Sequence, residues 1–193
     1  MDYAIANWIF NTFGKSKFVT TLFHIVTLFG EWWSICLIVL VLLLFKKTRK
    51  IGIYVGVTCL LAFVFNNYIL KEIVKRTRPL VAHPEFQQAC NLAGYEVPTD
   101  YSMASGHSTV SMALVCGVFM HSKKAGLWCL PFPILMGFSR MVLCVHYLTD
   151  VLAGFLIGIS FAVAVFYLIN FLTKLYLKRK GENYEKISFS NKK

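Results

Sequence analysis

Residues 51–79 read IGIYVGVTCLLAFVFNNYILKEIVKRTRP. From Ile51 to Leu70 there is no charge, and then Lys71, Glu72, Lys75, Arg76 and Arg78 arrive together. About 20 apolar residues suffice to cross a hydrocarbon core, so this run predicts a membrane span that Lys71 ends. Working toward the C-terminus, a polar loop of about 30 residues follows, with Pro79, Pro84 and Pro98; loops of that length are usually functional or unstructured. A third span is expected at Ala104–Met120, closed by His121, Lys123 and Lys124, and a fourth at Ala125–Val142. A turn from Arg140 to Thr149 leads to a fifth span, Asp150–Leu172, where Gly154 and Gly158 have the small-residue spacing that permits close helix contact. Toward the N-terminus, Phe18–Phe45 is apolar except at Gly30 and Glu31, so it reads either as one long tilted span or as a span kinked at Gly30, and Lys46, Lys47, Arg49 and Lys50 end it. The first residues, Asp2 to Ser16, mix Ile, Trp and Phe with Asn, Asp and Lys, as an interfacial amphipathic helix does. The reading is an all-α polytopic membrane helix bundle of about five transmembrane helices plus an N-terminal interfacial helix. Its parts are residues 1–17 (interfacial), 18–173 (transmembrane) and 174–193 (a basic cytoplasmic tail).

Composition agrees. Hydrophobic residues make up 57% and charged residues 15%, against about one quarter charged in soluble domains. In water such a chain would expose large apolar surface. The net charge of +11 is not a nucleic-acid footprint, because the cations cluster between apolar runs as juxtamembrane charges do. No removable signal peptide is read at the start. Of six cysteines, Cys36, Cys59, Cys116 and Cys129 lie well inside apolar runs, Cys144 near the end of one and Cys90 in the loop. This is neither a disulfide framework nor a zinc pattern. With five spans, 13 Lys and Arg fall on the side of the C-terminal tail and seven on the other. The positive-inside rule then puts the tail in the cytoplasm and the long loop outside.

Three clusters on the outer side carry chemistry. In the first, Lys71 and Arg78 are seven residues apart. A continuing helix would put them on one face, about 10 Å apart along the axis. Two such cations suit an anion with several oxygens, although a snorkelling basic patch would look the same. In the second, Ser105-Gly106-His107-Ser108 opens the third span. A helix N-terminus favours phosphate, Gly106 permits close backbone approach, Ser105 offers a hydroxyl and His107 transfers protons near neutral pH. An ordinary Ser cap is the competing account. In the third, Ser139-Arg140 precedes His146 and, four residues later, Asp150. A carboxylate beside an imidazole fixes its tautomer and raises its basicity, and Arg140 adds a cation; an N-capping Asp with a neighbouring His is the plainer alternative.

Together, in this order, the clusters resemble the three signature motifs of the type 2 phosphatidic acid phosphatase family: Lys71…Arg78-Pro79, Ala104-Ser105-Gly106-His107 and Ser139-Arg140…His146…Asp150. The resemblance covers about residues 30–158. Ala104 stands where the family usually has Pro, and Cys144 where Gly often precedes the His by two. Both departures bear on turn geometry rather than on chemical groups. The resemblance implies a phosphatase without metal or other cofactor. In it Lys71, Arg78, Ser105, the Gly106 amide and Arg140 would hold phosphate. His146 would attack phosphorus, Asp150 would orient His146, and His107 would protonate the leaving oxygen. The implied substrate is a lipid phosphate: undecaprenyl diphosphate is expected, with phosphatidylglycerol phosphate or phosphatidate as alternatives. A non-catalytic lipid-phosphate binding or transport protein would lack one of the histidines or Asp150, and all three are present. A vanadate haloperoxidase shares the residue set, but those enzymes are soluble. Membrane lipids are the expected surroundings, and no nucleic-acid partner is expected. Glu31, an ionisable residue inside an apolar run, could line the site mouth or cap the break at Gly30, and the cap is the preferred reading; His24 reads as a packed histidine, and Lys75 and Arg76 as contacts to anionic lipid. His83 and Glu85 are left without a site role.

Overall fold

A computed structural model describes residues 1–180. Among them there is no strand; the chain is a succession of helices. Helix α1 (Asp2–Ile9) runs on through a wider turn to Gly14, and α2 (Lys17–Leu28) and α3 (Trp32–Leu44) follow. Next comes α4 (Arg49–Val64), which continues through a π-helical stretch, Phe65–Leu70, into α5 (Lys71–Val74). The long loop holds α6 (Pro79–Ala82), a 3₁₀ turn and α7 (Gln87–Ala93). The remainder is α8 (Gly106–His121), α9 (Lys123–Cys129), α10 (Pro131–Val142) and α11 (Leu148–Arg179).

Three helical stretches are long and apolar enough to cross a membrane: Arg49–Ala82, Lys123–Val142 and Leu148–Arg179. The α2–α3 pair, bent by 44°, makes a fourth if it is one broken span. The bend falls where the kinked reading puts it. A Cβ at Gly30 would come within 2.6 Å of the tip of the Met136 side chain and 2.9 Å of the His107 ring, so any other residue would make both side chains shift. The fifth unit, α8, has 16 residues and is the axis of the bundle. It packs on α4, α10 and α11, and every residue from Ser108 to Val115 is buried. Lipid-facing surface lies instead on α3, α4 and α11, where Leu44, Leu60 and Leu156 are 66%, 62% and 66% exposed.

Two expected boundaries shift. Pro131 opens α10 and separates it from α9, since its ring cannot continue a helix already begun. The last helix does not stop at Leu172 but continues to Arg179. Its 32 residues span about 48 Å, more than the roughly 30 Å of hydrocarbon, so the first part of the proposed tail is helical. Residues 181–193 of that tail lie outside the described residues. At the N-terminus, α1 is half-embedded: Ala6, Ile9 and Phe10 are buried, while Trp8 is 60% exposed. Ala6 and Phe10 join Leu80, Phe86, Leu143 and Tyr147 in one apolar cluster, so α1 braces the loops at one end of the bundle, called below the site end.

The contact of α11 with α8 depends on small residues. A Cβ at Gly158 would come within 2.5 Å of the Thr109 carbonyl oxygen and 2.8 Å of the Ala113 nitrogen. Backbone cannot yield as a side chain does. Gly158→Leu should therefore destabilise the fold by about 1–3 kcal/mol, the usual range for overpacking. Its thermal midpoint in detergent should fall, while Leu156→Ala on the exposed face of α11 should leave the midpoint nearly unchanged. Equal midpoints for the two variants would contradict this packing.

Candidate active site

The three motifs converge on one cavity of about 680 Å³. Lys71, Arg78, Arg140, His107 and His146 all line it. Lys71, Arg78, Arg140 and His146 are 2–5% exposed.

Lys71 and Arg78 reach it by a route the spacing alone does not give. The helix does not persist between them. Lys75 takes a left-handed conformation, φ 49°, and ends α5, and Arg78 is extended, as the residue before a proline prefers. The two cations meet at Asp100 instead. Its carboxylate pairs with the Lys71 ammonium through Oδ2 and accepts from Arg78 Nη2 at 2.5 Å through Oδ1. Arg78 Nε donates to the Asp100 carbonyl at 2.8 Å, and Nη1 to the Val145 carbonyl at 2.9 Å. Partial burial works against the Asp100 charge, but Lys71 and Arg78 outweigh it and hold its carboxyl down at about 2.

Arg140, from the last turn of α10, donates to the Tyr95 hydroxyl at 2.9 Å and to Thr27 Oγ1 at 3.4 Å. Its Nε is buried and has no protein partner. A buried unpaired donor is costly unless something accepts from it.

His146 lies in the short turn between α10 and α11. Cys144, two residues earlier, has φ 55°, a conformation that costs a non-glycine residue about 1–2 kcal/mol. That is the physical reason glycine suits this position. Burial first, then the charges of Arg78, Arg140 and Lys71, hold the His146 ring far below the usual imidazole range, so it is neutral at pH 7. Arg78 Nη1 donates to His146 Nε2 at 3.2 Å. Asp150, fully buried in the first turn of α11, is close behind, but its Oδ2 is 3.8 Å from His146 Nδ1, beyond a hydrogen bond.

On the other wall, Gly106 and His107 open α8 and line the cavity. His107 Nε2 is 3.2 Å from Glu31 Oε1, across the α2–α3 bend. Ser105 stands behind them. It is fully buried and caps α8, its Oγ accepting from the Ser108 hydroxyl at 2.9 Å and amide at 3.4 Å.

Several site residues are passed over by sequence reading. Glu31 reads there as a cap, yet it contacts His107. Arg76 reads as a lipid contact, yet it pairs with Asp150 at 2.5 Å and Asp2 at 2.6 Å. Asp100, Tyr95 and Ser102 give no signal beyond lying in a long loop. His24 Nδ1 donates to the Ala93 carbonyl, 2.8 Å away, and the ring packs on Tyr95, so it supports the loop. His83 and Glu85 do not line the cavity.

Fold and site together define a multi-pass membrane helix bundle with a cationic, two-histidine pocket near one end. The chain belongs to the PAP2 superfamily, whose family model matches residues 50–174. It is 34% identical over 119 residues to an undecaprenyl-diphosphatase of Sulfolobus acidocaldarius, covering 61% of this chain and 54% of that one. It is 31% identical over 125 residues to undecaprenyl-diphosphatase BcrC of Bacillus subtilis, covering 64% and 61%. The chain thus spans just over half the length of these relatives. The fold is that of a PAP2-type phosphatidylglycerolphosphate phosphatase from Bacillus subtilis, with TM-score 0.68 at 21% identity over 88% of this chain and 84% of that one.

The Asp100 bridge yields a pH prediction. Because the carboxyl sits below its ordinary range, the anchor is complete above about pH 4 and is lost as pH falls toward 2. Hydrogen exchange in residues 96–103, corrected for intrinsic rate, should be flat from pH 7 to 5. Asp100→Asn should exchange faster there already at pH 7. Unchanged protection in that variant would refute the anchoring role.

Proposed function

We propose that this protein hydrolyses a lipid phosphate, a monoester or diphosphate, through a phosphohistidine on His146. The observation that carries the reading is the shape of the cavity. Its cationic end continues into an apolar groove between α3 and α4, lined by Ile35, Val39 and Leu43 on one side and Cys59, Leu60 and Phe63 on the other. A site holding phosphate at one end and hydrocarbon along the other suits an amphiphile whose tail stays in the membrane.

Phosphate oxygens would be held by Lys71, Arg78 and Arg140, whose Nε has no protein acceptor, with the Gly106 amide and the Ser105 hydroxyl at the α8 N-terminus. Placing fixed charge and donors where equatorial charge develops is the main catalytic device available to phosphoryl transfer. His146 Nε2 attacks the terminal phosphorus, and the bond to the leaving oxygen (the lipid oxygen of a monoester, or the bridging oxygen of the lipid monophosphate in a diphosphate) breaks as His107 gives that oxygen a proton. Water then attacks phosphorus, His107 takes a proton from it, the P–N bond breaks and phosphate leaves. Asp150 keeps His146 in its attacking tautomer. The relatives' names favour undecaprenyl diphosphate. Lys and Arg supply the positive charge, so phosphate release should survive EDTA. The site faces outward and the tail is cytoplasmic, on the 13-to-7 division of Lys and Arg between the two sides. Residues 1–17 form the interfacial element, 18–173 the phosphatase domain and 174–193 the tail.

A panel of lipid phosphates in mixed micelles, assayed for phosphate release, tests the reaction class, and the two histidines test the mechanism. His146→Ala should be inactive on every substrate and form no phosphoenzyme. His107→Ala should lose about 10²–10⁴-fold on a lipid monoester, the usual worth of general acid help, and much less on an activated phenolate ester. A phosphoenzyme that persists in His146→Ala and vanishes in His107→Ala would reverse these roles.

Orientation has its own test. Gln87→Cys, in an otherwise cysteine-free variant, should react with an impermeant thiol reagent in intact cells. Labelling only after lysis would overturn the outward-facing site.

A further inference from the structure

Asp150 and His146 do not touch. Between them sits Ser102, a fully buried residue of the loop before α8. Its Oγ donates to Asp150 Oδ2 at 2.5 Å and lies 3.4 Å from His146 Nδ1. We propose that Ser102 is the positioning residue of this site, passing the hold of Asp150 to the His146 ring through its hydroxyl. The proposal rests on the reading of His146 as nucleophile and deepens it.

Proton directions support it from two sides. A guanidinium only donates, so the contact of Arg78 Nη1 with His146 Nε2 at 3.2 Å requires a lone pair on Nε2. The proton of the neutral ring is then on Nδ1 and needs an acceptor. Asp150 at 3.8 Å is too far, and Ser102 Oγ is the nearer oxygen. From the other side, the Asp150 carboxylate is held by groups that only donate: Arg76 Nη1 at 2.5 Å on Oδ1 and the Tyr147 amide at 2.9 Å on Oδ2. The Ser102 proton goes to that same Oδ2, which turns a Ser102 lone pair toward Nδ1. The whole chain therefore reads Nδ1–H to Ser102 to Asp150, and it leaves Nε2 unprotonated, with its lone pair facing Arg78.

Ser102 is fixed to do this. Its amide donates to the Arg76 carbonyl at 2.8 Å. Three residues on, the Ser105 amide donates to the Asp150 carbonyl at 3.1 Å. The loop is thus stitched both to α11 and to the extended backbone after α5. The 3.4 Å contact is long for a neutral ring. When Nε2 bonds to phosphorus the ring becomes cationic, Nδ1–H becomes a stronger donor, and the contact gains. A bond that strengthens along the reaction raises the rate of the step rather than substrate affinity.

The experiment uses the full chain in detergent. Rapid-quench phosphoenzyme formation in Ser102→Ala should slow by at least about tenfold, while affinity for inorganic phosphate and thermal midpoint stay near wild type. In an Asp150→Asn background the same substitution should add little, because both act through one ring. A wild-type rate in Ser102→Ala, or full additivity with Asp150→Asn, overturns the proposal. ¹⁵N-histidine NMR of the wild-type protein needs no variant: protonated Nδ1 on His146 is expected, and protonated Nε2 overturns it. Wild-type protein that forms no phosphoenzyme would instead defeat the proposed function, and the NMR result would still decide the tautomer.

Discussion

Three cations are held together out of water at the site end of this bundle. Lys71, Arg78 and Arg140 are 5%, 4% and 2% exposed, and each repels the others in a medium that screens poorly. Buried charge persists only where it is paired and hydrogen-bonded. Much of the surrounding structure does that pairing. Asp100 bridges two of them, carbonyls of Asp100 and Val145 take further Arg78 donors, and the Tyr95 hydroxyl and ring face Arg140. The pairing is incomplete at Arg140 Nε. An arrangement this positive, with a donor unspent, is complementary to an anion.

The same charges set the state of His146. A neutral His146 follows from burial and from the nearby charges of Arg78, Arg140 and Lys71. The fold then has to supply an acceptor for the ring proton without adding a bulky anion to the cavity. Asp150 is placed behind the ring and stabilised there by α11. Its carboxylate accepts from the Tyr147 amide in a capping box, near the positive end of a 32-residue helix. Arg76 secures its other oxygen and is itself tied to Asp2 of α1. The N-terminal helix is thus linked by two ion pairs to the carboxylate behind the His146 ring.

What the sequence by itself determined is what one dimension can hold. Uncharged runs of about 20 residues are long enough to cross a membrane, so three of the five expected spans, and a fourth if the bent α2–α3 pair is one, are legible in the order of residues alone, while α8 is not among the helices long and apolar enough to cross. The place of a kink at Gly30 and the close contact at Gly154 and Gly158 are marked by glycine alone. The eight site residues are legible as three short motifs, because each motif is local: a span end, a helix start, a turn. Only the tertiary structure decided how they cooperate. The helix that would put Lys71 and Arg78 on one face ends at Lys75, and the two cations meet instead at Asp100, 29 residues from Lys71. Ser102 meets Asp150 across 48 residues, and Arg76 meets it across 74. Partners so distant in sequence leave no periodicity and no spacing to read. They are chosen by the requirement that a buried charge be paired, and that requirement acts only once the helices have packed.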